Sequence, residues 1–415
     1  MIEVSNALSD VSAPLVSLED LAADPHGVYR YFRQRVPFIR RSDDMLVVLR
    51  AGDVRQLSTD HRVRQTETEF IRSLGVEDGP LFRVFEEGML TSNGDVHRNR
   101  RAPFTRTFSL RLIASLRPMI RAVAEEIIDG WDQAGEIDLL DAFASPLPAR
   151  VIAAVLGLPA EDVPTFTSLV YSVARILSSQ PIPDGPSALQ EDTRRLLAYV
   201  EEALDRRRRE PADDFLTAYL AALEAGDRLS ASEGIVQIAI LIIGGSDTTR
   251  AALASMVNLL LKHGHYGEVC RDPALVPAAV AESLRFEPSV GSIARVTLDS
   301  IDLAGGHLSG GRLVSLSNMS AMRDETVFER PDTFDLHRTD QQRLHMVFGG
   351  GAHRCLGEGL AKAELEEALA ALTRRLPGLE LAGSSPTMQG HFGIRWIDPV
   401  RVRWASKASR PDSIG

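Results

Sequence analysis

The chain contains only two cysteines, Cys270 and Cys355, among its 415 residues. So few cysteines argue against a disulfide framework and fit the reducing cytoplasm. The first residues, 1–6, carry neither a positive cluster nor an apolar stretch, so we expect no secretory signal peptide. No apolar run reaches the ~18–20 residues of a membrane helix. We therefore predict a cytoplasmic protein without a membrane segment.

Basic side chains are fewer than acidic ones, 46 against 57, and the formal net charge is −11. This balance disfavours nucleic acid as a partner. The hydrophobic fraction of 44% supplies ample material for a large core. Repeats and low-complexity linkers are absent from the sequence. We predict one domain over residues 1–415, with flexible ends at about 1–20 and 405–415.

Helical periodicity dominates the middle of the chain, from about Leu110 to Leu284. Short strand-like runs lie near both ends, at 45–49, 312–316 and 400–404, and glycine-containing turns separate them. These patterns predict a mainly α fold with small β-sheets.

Cys355 lies in a glycine-rich stretch, 348–357, with the sequence FGGGAHRCLG. Apolar periodicity from Leu356 onward predicts a helix, whose free N–H groups and dipole would stabilise a thiolate at its start. Glycines at 349–351 would let the backbone approach a flat ligand closely. The alternative is a buried structural cysteine, which is the usual environment of a lone cysteine. The loop and the helix start together favour a metal-bound thiolate.

A second unusual segment, Gly244-Gly245-Ser246-Asp247-Thr248-Thr249, interrupts a long apolar helix pattern. The pattern begins at a capping-box signal, Ser230 and Glu233, and continues to about residue 263, which predicts a helix about 50 Å long. Paired glycines leave space beside a helix, and an acid next to a hydroxyl can pass protons to it. The alternative is a helix bend with a buried aspartate that is paired elsewhere.

Both segments resemble signatures of the cytochrome P450 family. The first matches F-x-x-G-x-x-x-C-x-G, and the second matches [AG]-G-x-[DE]-T-[TS]. The resemblance extends from about Asp24 to Trp404, with the motifs in family order. It implies the cytochrome P450 fold, in which a long central helix lies over a haem.

By this resemblance Cys355 is the thiolate ligand of the iron of haem b (iron protoporphyrin IX). Phe348, Gly349 and Gly357 belong to the same cofactor-binding loop. The resemblance gives Asp247 a part in relaying protons and gives Thr248 a hydrogen bond to the oxygen that is being activated. The chain has no C-x-x-C-H motif, so we expect no covalent haem attachment.

His97 and Arg101 lie four residues apart, hence on one helical face. A cationic pair there suits carboxylate ligands, although a basic surface helix would give the same pattern. The resemblance implies that both residues hold the haem propionates, together with Arg295 and His353.

Glu282 and Arg285 lie three apart on one predicted helix face, as many surface ion pairs do. Their place between the long helix and the cysteine loop resembles the family's E-x-x-R motif. The resemblance adds Arg338 to a buried charge network with them. The role of this network is structural.

Most candidate residues for a substrate pocket are apolar, so we predict a mainly hydrophobic small molecule: a terpenoid, an aromatic or a fatty chain. The alternative is a substrate carboxylate held by Arg64, Arg72 or Arg83. The candidates are Phe82, Phe85, Met89, Leu90, Ile240, Ile243, Gly244, Val290, Ser292, Ile293, Phe392 and Ile394.

The resemblance implies a monooxygenase of the soluble bacterial type that hydroxylates its substrate with O₂. About 60 residues follow Cys355, too few for a fused reductase. We therefore expect electrons from a ferredoxin and an NAD(P)H-dependent ferredoxin reductase, with docking at a basic patch of Arg98, Arg100, Arg106 and Arg111. Two alternatives are a peroxide-driven peroxygenase or decarboxylase on the same fold and a non-catalytic haem carrier or sensor.

Overall fold

The computed structural model describes residues 8–105, 110–131, 135–178, 180–226, 229–340 and 346–404. Helices predominate in these residues, which confirms the predicted mainly α fold with small sheets. The α-helices of the described residues are α1 (Leu18–Ala23), α2 (Pro25–Arg33), α3 (Ala51–Leu57), α4 (Glu69–Ser73), α5 (Gly79–Glu86), α6 (Gly94–Thr105), α7 (Leu110–Asp129), α8 (Pro146–Leu156), α9 (Val163–Ala174), α10 (Gln190–Arg209), α11 (Phe215–Gly226), α12 (Ala231–Lys262), α13 (Tyr266–Arg271), α14 (Val276–Phe286), α15 (Asn318–Ala321) and α16 (Glu358–Arg375).

The strands are short and form four small sheets in the described residues. The strands are β1 (Leu8–Ser9), β2 (Leu15–Val16), β3 (Phe38–Arg41), β4 (Leu46–Val48), β5 (Val63–Arg64), β6 (Glu136–Asp138), β7 (Val290–Thr297), β8 (Ile301–Leu303), β9 (Gly306–Leu308), β10 (Leu313–Ser317), β11 (Glu380–Leu381), β12 (Met388–Gln389), β13 (Gly393–Ile394), β14 (Trp396–Ile397) and β15 (Arg401–Arg403). The largest sheet has the order β13-β7-β10-β4-β3-β2, with β5 also paired to β7.

The predicted flexible N-terminal end contains regular structure from residue 8 onward. Strand β1 pairs in parallel with β9, with Leu8 opposite Gly306, and β2 pairs in parallel with β3. The rest of that predicted end, residues 1–7, and the predicted C-terminal end, 405–415, lie outside the described residues. Among the residues that the structure describes, no helix is long and apolar enough to cross a membrane.

Helix α12 is the predicted long helix, and both halves of its capping box are present. The Ser230 side chain accepts a hydrogen bond from the Glu233 N–H, and the Glu233 carboxylate accepts one from the Ser230 N–H. Its first half, up to Ile243, packs in one apolar core, whereas its second half, from Ala251, packs in another. The polar segment 244–250 therefore lies at the junction of two cores.

The charge network behind the cysteine loop is fully buried. Glu282 and Arg285 of α14 have side chains that are 0% exposed, and they form a two-pronged pair at 2.7 and 2.8 Å. The Arg285 guanidinium also donates to the carbonyls of Met322, Pro331 and Thr333.

Arg338 completes this network, with its Nε 3.6 Å from Glu282 Oε2. Glu282 also accepts a hydrogen bond from the Asp335 N–H at 2.9 Å. The network thus fixes the backbone of residues 331–338 to α14, because every buried carboxylate and guanidinium in it must find partners.

We expect Arg285→Ala to lower the free energy of unfolding by about 3–5 kcal/mol, because the variant leaves Glu282 charged and buried. The matched control is Arg30→Ala, which removes the exposed pair between Arg30 and Asp332 at 3.3 Å and costs less than about 1 kcal/mol. Urea unfolding followed by circular dichroism measures both. Equal losses in the two variants would contradict the assigned burial.

Candidate functional site

The cysteine loop is closed by one backbone hydrogen bond, from the Cys355 N–H to the Phe348 carbonyl at 2.8 Å. Gly349, with φ +71°, lies in the left-handed region that favours glycine. A 3₁₀ turn follows over Gly351–His353, and helix α16 begins at Glu358, two residues later than the sequence pattern indicates. Cys355 is therefore presented by a loop that precedes a helix, with Gly357 as the N-cap.

The predicted thiolate stabilisation at Cys355 is only partly present. A hydrogen bond from the Gly357 backbone favours the thiolate, but the surrounding protein desolvates the sulfur, and this larger effect raises the pKa of the Cys355 thiol. The residue is nevertheless exposed. A bound metal ion would favour the thiolate form of this cysteine.

The loop glycines allow a close approach between the loop and helix α3. A side chain at Gly350 would place its Cβ 2.7 Å from Ser58 Oγ, and one at Gly349 would approach Ile293 Cδ1 at 3.6 Å. A cavity of about 220 Å³ lies between α3, β10 and this loop. A glycine at position 350 therefore lets the loop pack closely against Ser58 at the end of α3.

Four predicted basic residues converge near the loop. The rings of His97 and His353 lie 3.8 Å apart, and Arg101 Nη2 donates to the Arg354 carbonyl at 2.6 Å. Arg295 Nη1 donates to Gln65 Oε1 at 2.8 Å, and β7 positions it by pairing with β10. The structure thus brings together α6, β7 and the cysteine loop.

None of these four basic side chains forms an ion pair with a carboxylate of the described residues. Burial lowers the pKa of Arg295 to about 10. Burial is also the largest cause that lowers the pKa of His97 to about 4 and that of His353 to about 3. Near neutral pH the two histidines are therefore uncharged and can still donate a hydrogen bond, whereas Arg101 and Arg295 are cations without a counter-charge in the described residues. Two such cations suit an anionic ligand.

Helix α12 carries a groove at Gly244. This residue is exposed although it lies in the middle of a buried helix, and a Cβ placed on it would meet no atom within 4 Å. The Thr248 hydroxyl donates to the Gly244 carbonyl, four residues earlier in the helix, at 2.9 Å. The helix continues through the glycine pair without a break.

Asp247 does not share the orientation of Thr248, because consecutive helical residues point about 100° apart. Its carboxylate accepts a hydrogen bond from Arg250 Nε at 2.9 Å, and the Arg250 guanidinium lies 4.1 Å from the centre of the Tyr171 ring. Burial raises the pKa of Asp247, and Arg250 opposes this effect. The acid is therefore held by Arg250 and the alcohol by the Gly244 carbonyl, as in the alternative of a buried aspartate that is paired elsewhere, and the joint role of the two residues in proton transfer stays a prediction.

Glu364 of α16 was missed by the sequence reasoning. Its side chain is buried, Oε2 has no hydrogen-bond partner among the described residues, and burial raises the pKa of Glu364 well above its usual value. Its charge also contributes to the raised pKa of Tyr171. A glutamate at an inward position of the helix after Cys355 was the available signal.

Apart from Leu90, the apolar candidate pocket residues between 82 and 243 lie in or against the core of the first half of α12. Phe82, Phe85 and Met89 share this core with Ile243, and Ile240 packs against it. Leu90 is 48% exposed. Leu356, the neighbour of Cys355, packs against the same core and links the pocket to the cysteine loop.

An aromatic series joins the two ends of the candidate pocket. The Phe70 ring lies 6.1 Å from that of Phe85 and 5.5 Å from that of Phe392. Phe70 was not among the predicted residues, because it lies outside the motifs. Gly393 approaches the 3₁₀ turn Arg175–Leu177 so closely that a Cβ would lie 2.0 Å from the Leu177 carbonyl oxygen.

Strand β7 presents its candidate residues on alternate sides. Ile293 lines the cavity beside Gly349, whereas Ser292 is buried, and its Oγ has no hydrogen-bond partner among the described residues. The Val290 carbonyl accepts from Asn318 Nδ2 at 3.1 Å. Ile394 of β13 is buried opposite Val290.

The three arginines considered for a substrate carboxylate differ in their partners. Arg64 pairs with Glu69, and the Arg72 guanidinium lies 4.6 Å from the centre of the Phe82 ring. Arg83 Nε is buried without a hydrogen-bond partner among the described residues.

The predicted basic patch is wrong at Arg100. This side chain is buried and bound to Glu233 at 2.8 Å, because α6 packs against the start of α12. Arg98 is exposed and paired with Asp95. Arg106 and the side chain of Arg111 lie outside the described residues.

The fold and the site define a helix-rich protein with one cysteine loop, buried cations and a grooved central helix. A family model for "Cytochrome P450" matches residues 272–379. The chain is 41% identical over 400 residues to the plant-inducible cytochrome P450-pinF1 of Rhizobium radiobacter, with 96% of this chain and 94% of the relative covered.

A second relative is nocardicin C N-oxygenase of Nocardia uniformis subsp. tsuyamanensis, 35% identical over 400 residues, with 92% of this chain and 96% of the relative covered. The solved structure of CalO2 is similar with a TM-score of 0.86 and 29% identity, over 93% of this chain and 97% of that one. The chain belongs to the cytochrome P450 family and is an oxidoreductase of the monooxygenase class.

Haem, which the family binds, fits the residues present. Cys355 would ligate the iron, and the flat glycine loop would lie beside the ring. Two propionates would supply the negative charge that Arg101 and Arg295 do not find in the described residues, and His97 and His353 would be placed to donate hydrogen bonds to them.

The two glycines of α12 provide a matched stability test. Gly244→Ala adds a side chain to open space, and we expect it to raise the free energy of unfolding by about 0.5–1 kcal/mol through helix propensity. Gly245→Ala places its Cβ 3.2 Å from Ile152 Cδ1, so the Ile152 side chain must shift. The cost of this shift offsets the gain in helix propensity. Urea unfolding measures both variants, and equal effects would contradict the groove.

Proposed function

We propose that this chain inserts one oxygen atom from O₂ into a mainly hydrophobic small molecule and releases the other as water. The reaction consumes two electrons and two protons for each substrate hydroxylated. The observation that carries the proposal is the Gly244 groove, with the Thr248 hydroxyl bonded to the Gly244 carbonyl between two apolar cores.

Haem b, when bound through Cys355, supplies the chemistry that activates dioxygen. The protein would hold it through the charges of Arg101 and Arg295, which match two carboxylates, and through hydrogen bonds from His97 and His353. Phe348, Gly349 and Gly357 belong to the loop that carries the thiolate, and Lys362 covers the Phe348 ring at 5.1 Å.

Asp247 and Thr248 handle the two protons. Burial raises the pKa of Asp247, so its carboxyl group exchanges protons closer to neutral pH than an exposed aspartate does. Arg250 holds this carboxylate on the side of α12 that faces Tyr171. Delivery toward the groove therefore requires Asp247 to leave Arg250 or to act through water. The Thr248 hydroxyl, whose single O–H is donated to the Gly244 carbonyl in the structure, must likewise turn into the groove to donate there.

The substrate that the pocket supports is mainly apolar. Phe82, Phe85, Met89, Ile243 and Ile394 are all buried hydrophobic residues. The relative named nocardicin C N-oxygenase shows that an oxygenase of this family can act on a nitrogen-containing compound. A substrate carboxylate held by Arg83 is the second candidate, because its Nε has no partner among the described residues.

We assign electron delivery to a ferredoxin and an NAD(P)H-dependent ferredoxin reductase, and the location to the cytoplasm. A peroxide-driven peroxygenase or decarboxylase is the alternative, but the Asp247–Thr248 pair favours use of O₂. A non-catalytic haem carrier or sensor would bind O₂ or CO without consuming reductant.

The experiment measures product formed per NAD(P)H consumed, with ferredoxin, reductase and terpenoid, aromatic and fatty-chain compounds as trial substrates. We expect Thr248→Val to lower this ratio by at least about tenfold, because the donor in the groove is lost. Thr249→Val, a neighbouring buried threonine, is the control and keeps the ratio. Turnover with hydrogen peroxide alone, and none with O₂ and reductant, would overturn the proposal.

A further inference from the structure

Gln237 joins α12 to the segment between α5 and α6. Its side chain is fully buried, one turn before Ile240 on the same helix. Its Oε1 accepts a hydrogen bond from the Met89 N–H at 2.7 Å, and its Nε2 donates to the Glu87 carbonyl at 2.7 Å. The same Nε2 donates to the Glu233 carbonyl of its own helix at 2.8 Å.

The Gln237 side chain gives the backbone of residues 87 and 89 the hydrogen bonds that a neighbouring strand gives in a sheet. The Glu87 carbonyl and the Met89 N–H flank a single residue, and one side-chain amide satisfies both groups. A buried backbone group that loses its partner costs free energy comparable to a lost hydrogen bond. The segment therefore depends on Gln237 for its position.

Gly88, the residue between the two bonded groups, lies directly against the candidate pocket. A Cβ at this position would be 2.5 Å from Ile240 Cδ1 and 2.3 Å from the Val84 carbonyl oxygen. The segment is therefore so close to α12 that only glycine fits at position 88 without a shift of Ile240.

Two further contacts hold the same segment to the start of α12. Arg100 donates to the Glu86 carbonyl at 3.0 Å and to Glu233 Oε1 at 2.8 Å. The Ser232 hydroxyl donates to Glu87 Oε2 at 2.6 Å. Gln237 is the member of this set closest along α12 to Ile240, Ile243 and Gly244.

We propose that Gln237 is a specificity-determining positioning residue, which sets the size of the substrate cavity by fixing Gly88 and Met89 against α12 at Ile240. The proposal rests on the proposed function, since it needs a haem with a substrate cavity beside it. Gln237 acts through the backbone of residues 87–89 and is not assigned a contact with the substrate.

The test uses the haem-loaded protein and its Gln237→Met variant, which keeps the volume and removes both hydrogen bonds to the segment. Hydrogen exchange of the peptide that contains residues 86–92 is the first readout, and we expect it to be at least about tenfold faster in the variant. The second readout is optical titration with imidazole and with 4-phenylimidazole. We expect 4-phenylimidazole to bind at least about fivefold more weakly in the variant, because residues 87–89 have lost their hydrogen bonds and must become ordered when the larger ligand binds. Imidazole, which is smaller, should bind as before.

Asn258→Leu is the matched control. Asn258 is another buried amide of α12, and its Nδ2 donates to the Pro386 carbonyl at 2.8 Å, in a segment outside the candidate pocket. We expect this variant to change neither exchange in residues 86–92 nor the ratio of the two dissociation constants. If Gln237→Met fails to fold, Gln237→Asn, which shortens the amide, takes its place with the same expected directions.

Unchanged exchange in residues 86–92, or unchanged or tighter binding of 4-phenylimidazole, would overturn the assignment to Gln237. The optical spectrum of the reduced CO complex separates this failure from failure of the proposed function. A variant that keeps the thiolate-type spectrum but leaves both readouts unmoved disproves only the role of Gln237.

Discussion

The hydrogen bond from the Cys355 N–H to the Phe348 carbonyl is the interaction on which the site depends. It closes a loop in which Gly350 packs against Ser58 at the end of α3. The sulfur of Cys355 lies at the end of this loop, just before α16. The surrounding protein raises the pKa of the Cys355 thiol, and a bound metal ion would favour its thiolate form.

The remaining charges are arranged around that loop in two different ways. Glu282 and Asp340 balance the charges of Arg285 and Arg338 within the protein, so this network fixes the backbone and needs no ligand. Arg101 of α6 and Arg295 of β7, in contrast, form no ion pair with a carboxylate among the described residues. Paired charges thus support the fold, whereas unpaired cations define where an anionic cofactor fits.

The sequence predicts most of the helical frame because its signals are local. The capping box of Ser230 and Glu233 and the start of α12 agree with the pattern within a residue. Contacts between distant segments were not predictable in this way. Arg100 follows the basic pattern of its helix but is buried against Glu233, and Gln237 bonds to residues about 150 positions away. Such partners depend on how α6 and α12 pack, which periodicity does not specify.

The optical spectrum of the reduced CO complex, recorded for the protein and for its Cys355→Ala variant, tests the central claim most directly. The account predicts a thiolate-type spectrum for the protein and its loss in the variant, because Cys355 is the assigned iron ligand. Cys270→Ala, at the other cysteine, serves as the control and should keep the spectrum. An unchanged thiolate-type spectrum in Cys355→Ala would contradict the account.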